Sequence, residues 1–239
     1  MVNLVWVSIL CSSFVFAADS ALLMAAQEGK LDAVKAALAK GENVDTVGEG
    51  GARALMWAAK KNYPEVVEFL LSKGANVNAQ DNAGYSALIY ASNEGNVKVA
   101  VELINKKADV NIKTGNENTP LIIAVQNGQL NIVRLLVDKG AAVDMADGGG
   151  YTPLMYAAQE ENSNEYKIAE FLIKSGADVN TKDEEGYTVL MAASELGHDK
   201  IVSLLLKNGA KKSVKDSEGT TALDYAKTED HPQVIELLK

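Results

Sequence analysis

The residue types that carry most enzymatic and metal chemistry are scarce in this chain of 239 residues. It has two histidines, His198 and His231, which lie far apart in the sequence, and one cysteine, Cys11. A zinc site of ordinary ligands needs several cysteine and histidine side chains at close spacing, and no such cluster occurs. We therefore expect no metal site and no bound cofactor.

Two further patterns could carry chemistry, and neither has the neighbours that it needs. The glycines at 148–150 are followed by Tyr151 rather than by the lysine of a phosphate-binding loop. Glu184 and Glu185 are adjacent carboxylates, but they lie in a predicted turn, and exposure to water is a poor setting for acid–base catalysis. We do not expect an enzyme, since catalysis would require a buried cluster of carboxylates alone.

The charge balance excludes nucleic acid as the main ligand. Lys and Arg together number 23 against 32 Asp and Glu, which gives a net charge of −9 at pH 7. A protein that binds phosphate backbones needs clustered basic side chains, and only Arg53 and Arg134 are arginines. The acidity is typical of a soluble protein, and it also suits electrostatic steering of a basic partner.

The first 18 residues differ in kind from the rest of the chain. They carry no charged side chain, and residues 4–16 are apolar apart from three serines. Short side chains at Val15 and Ala17 are typical of the site at which a secretory signal peptide is cut. We predict that residues 1–17 are a cleaved signal peptide, because the apolar run is too short for a membrane-spanning helix.

This interpretation has two alternatives, and it determines the compartment. No lysine or arginine lies near Met1, so an uncleaved anchor or a mis-set start codon would also fit. The bulky Ile9 and Leu10 precede Cys11, which argues against the lipid attachment of a bacterial lipoprotein. The mature chain would contain no cysteine and no membrane span, and we expect it in the bacterial periplasm or outside the cell.

The elements that position these residues follow from a repeat. Leucines recur at intervals of 33 residues, with one interval of 36, at Leu22, Leu55, Leu88, Leu121, Leu154, Leu190 and Leu223. A fixed period of this length predicts a solenoid in which each unit packs only on its neighbours. The longer interval comes from three extra residues near 161–163, which should enlarge the loop between two helices of the fifth unit.

Each unit is predicted to contain a turn, a helix, a loop and a second helix. In the third unit, Asp81 and Gly84 mark the turn, and Gly95 stands where the first helix should end in a left-handed conformation. The equivalents of Gly95 in the other units are Gly29, Asn62, Gly128, Asn164, Gly197 and Asp230. Lys107 and Glu117 replace glycines of other units, so the junction of the third and fourth units should be strained, or its turn differently built.

The residues of the unit resemble a known family. Tyr151-Thr152-Pro153-Leu154 with Ala157-Ala158, and the run Gly176-Ala177-Asp178-Val179-Asn180, are similar to the ankyrin repeat. The resemblance covers residues 19–239 and implies an all-α solenoid with β-hairpin fingers, an ankyrin repeat stack whose concave groove binds other proteins. One domain, residues 18–239, would contain seven repeats at 19–47, 48–80, 81–113, 114–146, 147–182, 183–215 and 216–239.

The resemblance also bears on histidine. His198 follows Gly197, where the family pattern often has histidine, so we interpret it as structural. The histidine that often follows the motif leucine is missing here. Apolar packing should take over from its hydrogen bonds, since the replacements are Leu23, Met56, Ile89, Ile122, Met155, Met191 and Asp224.

The candidate partner-binding surface combines fingers and helix ends. Tyr85, Tyr151 and Tyr187 follow the finger turns, where a tyrosine offers a large, stiff contact, although each ring could instead pack on its own hairpin and stiffen it. The first-helix ends that should line the groove are Lys60, Lys61, Asn93, Glu94, Gln126, Asn127, Gln159, Glu160 and Glu195. Apart from the lysines they are neutral or acidic, which suits either a partner with basic or amide-rich loops or plain solvation.

A second set of aromatic residues is predicted to be core. These residues lie two positions after the repeated leucine, which should face the neighbouring repeat, and they are Trp57, Tyr90, Tyr156 and Tyr225.

The sequence favours a non-catalytic protein-binding module of an exported compartment. It would be a monomer that acts through groove and fingers, and it would inhibit or protect another protein or act as a host-directed effector. The alternative is a structural envelope or scaffold component that self-associates through its repeat ends. An apolar run at the C-terminus, Val234 to Leu238, favours that alternative.

Overall fold

A computed structural model describes residues 20–159 and 163–239, so the predicted signal peptide at 1–17 lies outside the described residues. The described residues form fourteen α-helices in seven pairs and one short 3₁₀ helix at Glu49–Gly51. The first helices of the pairs are α1 (Ala21–Gln27), α3 (Ala54–Lys60), α5 (Ala87–Glu94), α7 (Pro120–Gln126), α9 (Pro153–Gln159), α11 (Val189–Glu195) and α13 (Ala222–Thr228). The second helices are α2 (Leu31–Ala39), α4 (Pro64–Ser72), α6 (Val97–Asn105), α8 (Leu130–Asp138), α10 (Ser163–Lys174), α12 (Asp199–Lys207) and α14 (Pro232–Leu238).

Local sequence explains where the first helices begin. A serine or threonine hydroxyl accepts the backbone N–H three residues further on, which satisfies one of the unpaired donors of a helix N-terminus. Ser86, for example, accepts from Ile89 at 3.3 Å, and Thr119 accepts from Ile122 at 3.2 Å. These side chains fix the start of six of the seven first helices, and the exception is α3, which follows Arg53 and has no side-chain cap.

The helices stack in two layers. First helices pack on the first helices of the adjacent repeats, and second helices do the same in the other layer. The repeated leucines lie between repeats, and six of the seven are at most 3% exposed, while Leu223 in the last repeat is half-buried. The apolar face of each unit is therefore covered mainly by its neighbours, as the period predicts.

Apolar packing does replace the missing histidine in six repeats. Leu23, Met56, Ile89, Ile122, Met155 and Met191 are at most 3% exposed. The prediction is wrong for Asp224, whose carboxylate accepts the backbone N–H of Thr221 at 3.1 Å and caps α13. An acidic side chain at that position stabilises the start of its own helix rather than the contact with a neighbour.

Polar side chains supply hydrogen bonds between repeats from another position. The amide of Asn96 donates to the carbonyl oxygen of Ala59 at 2.8 Å, and the buried His198 lies with Nδ1 2.8 Å from the carbonyl oxygen of Ala158. His231 makes the equivalent contact through Nε2. A carbonyl oxygen only accepts, so each imidazole must donate. The structural interpretation of His198 is confirmed.

The fingers are tight turns with little strand character. Among the described residues, strand pairing in the fingers is limited to two isolated antiparallel bridges, between Gln80 and Ser86 and between Lys182 and Thr188. Thr114 closes the turn of the fourth repeat, and an aspartate closes the turns of the third, fifth, sixth and seventh repeats. The Asp81 carboxylate, for example, accepts the backbone N–H groups two and four residues later, at 3.0 and 2.8 Å. The carboxylate therefore stabilises the turn in place of the backbone hydrogen bonds of two paired strands.

The junction of the third and fourth repeats has the same backbone as the others. Lys107 and Glu117 take the left-handed conformation that glycine takes elsewhere, with φ of +70° and +61°. Asn62 and Asp230 do so at first-helix ends, as predicted. The same prediction for Asn164 is wrong, because this residue lies inside α10. Its repeat carries the extra residues, which displaced the expected helix end.

Replacing Lys107 with glycine is expected to stabilise the protein by about 0.5–1 kcal/mol. A non-glycine residue in this conformation costs about 1–2 kcal/mol, and the greater freedom of glycine in the unfolded chain offsets part of the gain. Midpoints of urea unfolding at constant slope measure the difference. Lys106→Gly is the matched control: it removes the same charge at a residue with φ of −90° and should destabilise. Equal losses in both variants would contradict the expectation.

The fifth repeat accommodates its three extra residues partly as helix. Helix α10 has 12 residues, whereas α8 and α12 each have 9. Residues 160–162, which include most of the predicted loop, lie outside the described residues. The neighbouring helices α8 and α12 still pack against α10. The longer element therefore leaves the order of the stack unchanged.

Candidate functional site

The groove runs between the fingers and the ends of the first helices, and the predicted residues line it in order. Of these residues, Lys60, Asn93, Gln159 and Glu195 are half-buried, whereas Lys61, Glu94, Gln126 and Asn127 are exposed, and Glu160 lies outside the described residues. The third and fourth repeats are joined in this row, because the amide of Asn127 donates to Asn93 Oδ1 at 3.2 Å.

The tyrosines of the fingers pair with aromatic residues that were predicted to be core. Tyr85 and Tyr90 have ring centroids 5.3 Å apart, and those of Tyr151 and Tyr156 are 5.7 Å apart. The core prediction is wrong in its extent: all four residues of that set are half-buried, namely Trp57, Tyr90, Tyr156 and Tyr225. Their rings pack on the core from one side and face the groove, so both sets of aromatic residues belong to one surface.

Hydrogen bonds hold the helix tyrosines to the fingers. The hydroxyl of Tyr90 donates to the finger carboxylate of Asp81 at 2.6 Å, and Tyr156 donates to Asp147 at 2.6 Å. Burial, and then the bond to Asp147, raise the pKa of Tyr156 to about 12. Burial, and then the bond to Asp81, raise the pKa of Tyr90 in the same way. These hydroxyls stay protonated at neutral pH, and each one ties a helix ring to a finger turn.

Tyr187 is arranged differently from the other finger tyrosines. Its ring meets Tyr225 of the next repeat edge to face, with centroids 5.4 Å apart. Its hydroxyl donates to the Oε2 atom of Glu195, and burial together with this bond raises the pKa of Tyr187. The reason lies in Ala192, which occupies the position that carries an aromatic ring in the repeats of Trp57 and Tyr90. Because no aromatic ring stands at this position in its own repeat, the ring of Tyr187 packs on Tyr225 of the next repeat.

A cleft of about 720 Å³ results, and we call it the Tyr187 cleft. Three tyrosine rings, the buried Ala192 and the exposed Leu196 line it. The remaining lining residues are polar or acidic, and together the set comprises Tyr151, Gln159, Asp183, Glu185, Tyr187, Ala192, Glu195, Leu196 and Tyr225. Sequence reasoning missed the cleft itself. The available signal was the small side chain of Ala192 at a position that holds an aromatic ring in four repeats and the larger Ile123 in the fourth repeat.

Near the second repeat, the groove carries a positive charge, opposite in sign to the acidic residues of the Tyr187 cleft. Lys60 places its Nζ atom 5.7 Å from the ring centroid of Trp57 and 5.3 Å from that of Tyr90. A cation over an aromatic face is attracted by the negative potential of that face. The groove is therefore basic and aromatic near the second repeat, and acidic and aromatic near the sixth.

Among residues 20–159 and 163–239, no group of three or more histidine, cysteine, aspartate or glutamate side chains is placed to hold a metal ion. No helix in the same residues combines the length and the apolarity that crossing a bilayer requires.

Comparisons with known proteins agree with this architecture. A family model described as ankyrin repeats (3 copies) matches residues 10–81, 88–183 and 162–239. A search of curated proteins finds no match. The human ASB11 ankyrin repeat domain is 25% identical, with a TM-score of 0.80, and the match covers 91% of this chain and 97% of that one. The ankyrin repeat domain of Bcl-3, a member of the IkappaB protein family, is 27% identical, with a TM-score of 0.82 and coverage of 92% and 98%.

These matches extend over nearly the whole chain and agree with the paired helices, the finger turns and the repeat period. This chain belongs to the ankyrin repeat family, whose domains generally mediate protein–protein interaction and are generally non-catalytic.

Proposed function

We propose that this protein is a non-catalytic binding module of the periplasm or the extracellular space, which captures a partner protein in its groove. It would inhibit or protect that partner, or act on a host protein as an effector. The location is proposed from the apolar leader at residues 1–17 and from the absence of cysteine after Cys11 in the sequence.

One observation carries the proposal: the groove presents paired, anchored tyrosine rings. Three rings on the fingers, Tyr85, Tyr151 and Tyr187, each contact a ring of a first helix at 5.3–5.7 Å. Large rings that are already held in place lose little entropy on binding, which is why tyrosine is frequent at the centres of protein interfaces. A surface of this kind favours contact with a folded partner over catalysis.

The alternative, self-assembly through the repeat ends, receives little support from the apolar C-terminus. Val234 and Leu238 are at most 4% exposed, because they pack inside the last helix pair. Only Ile235 and Leu237 are half-buried. We therefore expect light scattering to give the mass of a monomer at every concentration tested, and a mass that rises with concentration would favour self-assembly.

A crosslinked pull-down from the native exported fraction tests the function. Wild-type protein is compared with the triple variant Tyr85→Ala, Tyr151→Ala and Tyr187→Ala, which removes the finger half of each aromatic pair. We expect a partner protein that wild type retains and the triple variant loses, because the buried rings of an interface centre dominate its affinity.

The matched control is Tyr166→Ala, which removes a half-buried tyrosine from α10, outside the groove. Both variants must melt close to the wild-type temperature, so that lost capture does not reflect unfolding. Identical captures by wild type and the triple variant would contradict binding through the fingers and would direct the search to the face formed by the second helices.

A further inference from the structure

The Tyr187 cleft differs from the rest of the groove in a way that indicates what it binds. In the second repeat, the residue five positions after the repeated leucine is Lys60, and its ammonium lies over the rings of Trp57 and Tyr90. In the sixth repeat the same position holds Glu195, and the ring of the following repeat is Tyr225. In the second repeat, therefore, the aromatic rings lie next to the positive charge of Lys60. In the sixth repeat the equivalent position holds the negative charge of Glu195.

The charges around the cleft have one sign. Its titratable carboxylates are Asp183, Glu185 and Glu195, and no lysine or arginine is among the described residues that line it. Carboxylates gathered beside aromatic faces attract a cation through both the ion pair and the ring potential. The site is therefore complementary to a positive group that the cleft's own lining does not provide.

The cleft is also preorganised and partly apolar. The hydroxyl of Tyr187 bonds Glu195 Oε2, and the Tyr187 ring rests edge to face on Tyr225. Glu195 and Tyr225 are therefore held in place by Tyr187 before any ligand arrives, which reduces the entropy lost on binding. Leu196, which lines the cleft, is 46% exposed and offers an apolar surface for the methylene groups of a long side chain.

We propose that the Tyr187 cleft receives the guanidinium group of an arginine on an exposed segment of the partner protein. The guanidinium would stack on the ring of Tyr225 and form paired hydrogen bonds with the carboxylate of Glu195. Arginine fits better than lysine because its planar fork combines stacking with bidentate bonding. This inference rests on the proposed function and names the chemistry of the partner.

The first test uses the full chain, labelled with ¹⁵N, and a defined probe. An acetylated and amidated heptapeptide with one central arginine between glycines and serines is titrated, and the same peptide with citrulline in place of arginine is the neutral isostere. We expect saturable shifts confined to the amides of the sixth and seventh repeats, including Ala192, Glu195 and Leu196. The citrulline peptide should bind at least about tenfold more weakly, since it lacks a charge-assisted bond.

Variants assign the effect to the cleft. Glu195→Gln should weaken arginine-peptide binding at least about tenfold, whereas Glu68→Gln, which removes one charge from an exposed position on α4 outside the groove, should leave it unchanged. Ala192→Tyr restores an aromatic residue to the row and should also abolish binding while it keeps every carboxylate. This third variant separates loss of the cleft from loss of charge, and the ¹⁵N spectrum itself reports whether each variant is folded.

Equal binding of the citrulline peptide, or equal weakening by Glu68→Gln and Glu195→Gln, would overturn the inference. The pull-down separates this failure from failure of the proposed function. A partner that is lost by the triple tyrosine variant but fully retained by both Glu195→Gln and Ala192→Tyr would leave groove binding intact and refute the arginine site. A partner lost by all three variants would support both.

Discussion

Replacing Leu121 with alanine is expected to lower the free energy of unfolding of the whole array by about 2–5 kcal/mol, the range for large-to-small changes in well-packed cores. Leu121 is 1% exposed on α7, which packs on α5, α8 and α9. The lost methyl groups therefore leave a cavity bounded by the repeats on both sides. In a linear array, each repeat contacts only its neighbours. A weakened central repeat therefore reduces the coupling between the repeats on its N-terminal side and those on its C-terminal side.

The same substitution at Leu22 should have a much smaller global effect. Leu22 is equally buried, at 0% exposure, but α1 packs chiefly on α2 and α3. Weakening a terminal unit allows that unit to open while the rest of the array stays folded. Hydrogen exchange followed by mass spectrometry distinguishes the outcomes. Leu22→Ala should lose protection in α1 and α2 alone, and Leu121→Ala should lose it throughout or divide the array at the fourth repeat.

Equal and global loss of protection in the two variants would contradict this picture. It would mean that the array unfolds as one cooperative block, in which the position of a repeat has no influence. The comparison is clean because both variants remove the same atoms from sites of the same burial.

Alanine at Gly84 is expected to destabilise the protein by about 3 kcal/mol. The residue has φ of +82°, where a side chain costs about 1–2 kcal/mol. An added Cβ would also lie 2.6 Å from the backbone nitrogen of Gly115, closer than atoms can pack. That nitrogen donates to the carbonyl oxygen of Ala83 at 2.9 Å, so relief of the clash would break a bond between fingers, worth about 1 kcal/mol.

Gly219 supplies the matched control for the Gly84 prediction. Its φ is also +82°, but an added Cβ there would meet no atom within 4 Å. Gly219→Ala should therefore show the conformational term alone, and the difference between the variants in urea unfolding measures the contact between adjacent fingers. If both variants lose the same stability, the fingers are not held together at Gly84.

The repeat period determined most of the fold in advance, because spacing depends on the chain alone. It located the helix pairs and the buried leucines, and it identified Lys107 and Glu117 as residues forced into glycine conformations. It failed where an outcome depends on the size of a neighbour. Tyr90 was predicted to be core, but a ring of its size reaches past the helix layer and bonds Asp81 in the finger.

The site was less accessible to prediction than the fold. The groove positions follow from the repeat frame, yet the Tyr187 cleft depends on a missing side chain at Ala192 and on a contact that crosses into the next repeat. Period alone cannot reveal that the Tyr187 ring pairs with a ring of the next repeat, because the position of that ring is decided by the space around it. Asn164 failed for a related reason, since the extra residues of the fifth repeat shifted the local register.

The longer α10 marks a place where this molecule can change its length without changing its stacking. Helix α10 has three residues more than α8 and α12, close to the 3.6 residues of one helical turn, and its contacts with both are kept. An addition of nearly one turn brings the buried face of a helix back toward its original direction. Related chains could diversify at this point, and an engineer could introduce a label or a short tag there, while the remaining repeats keep their phase.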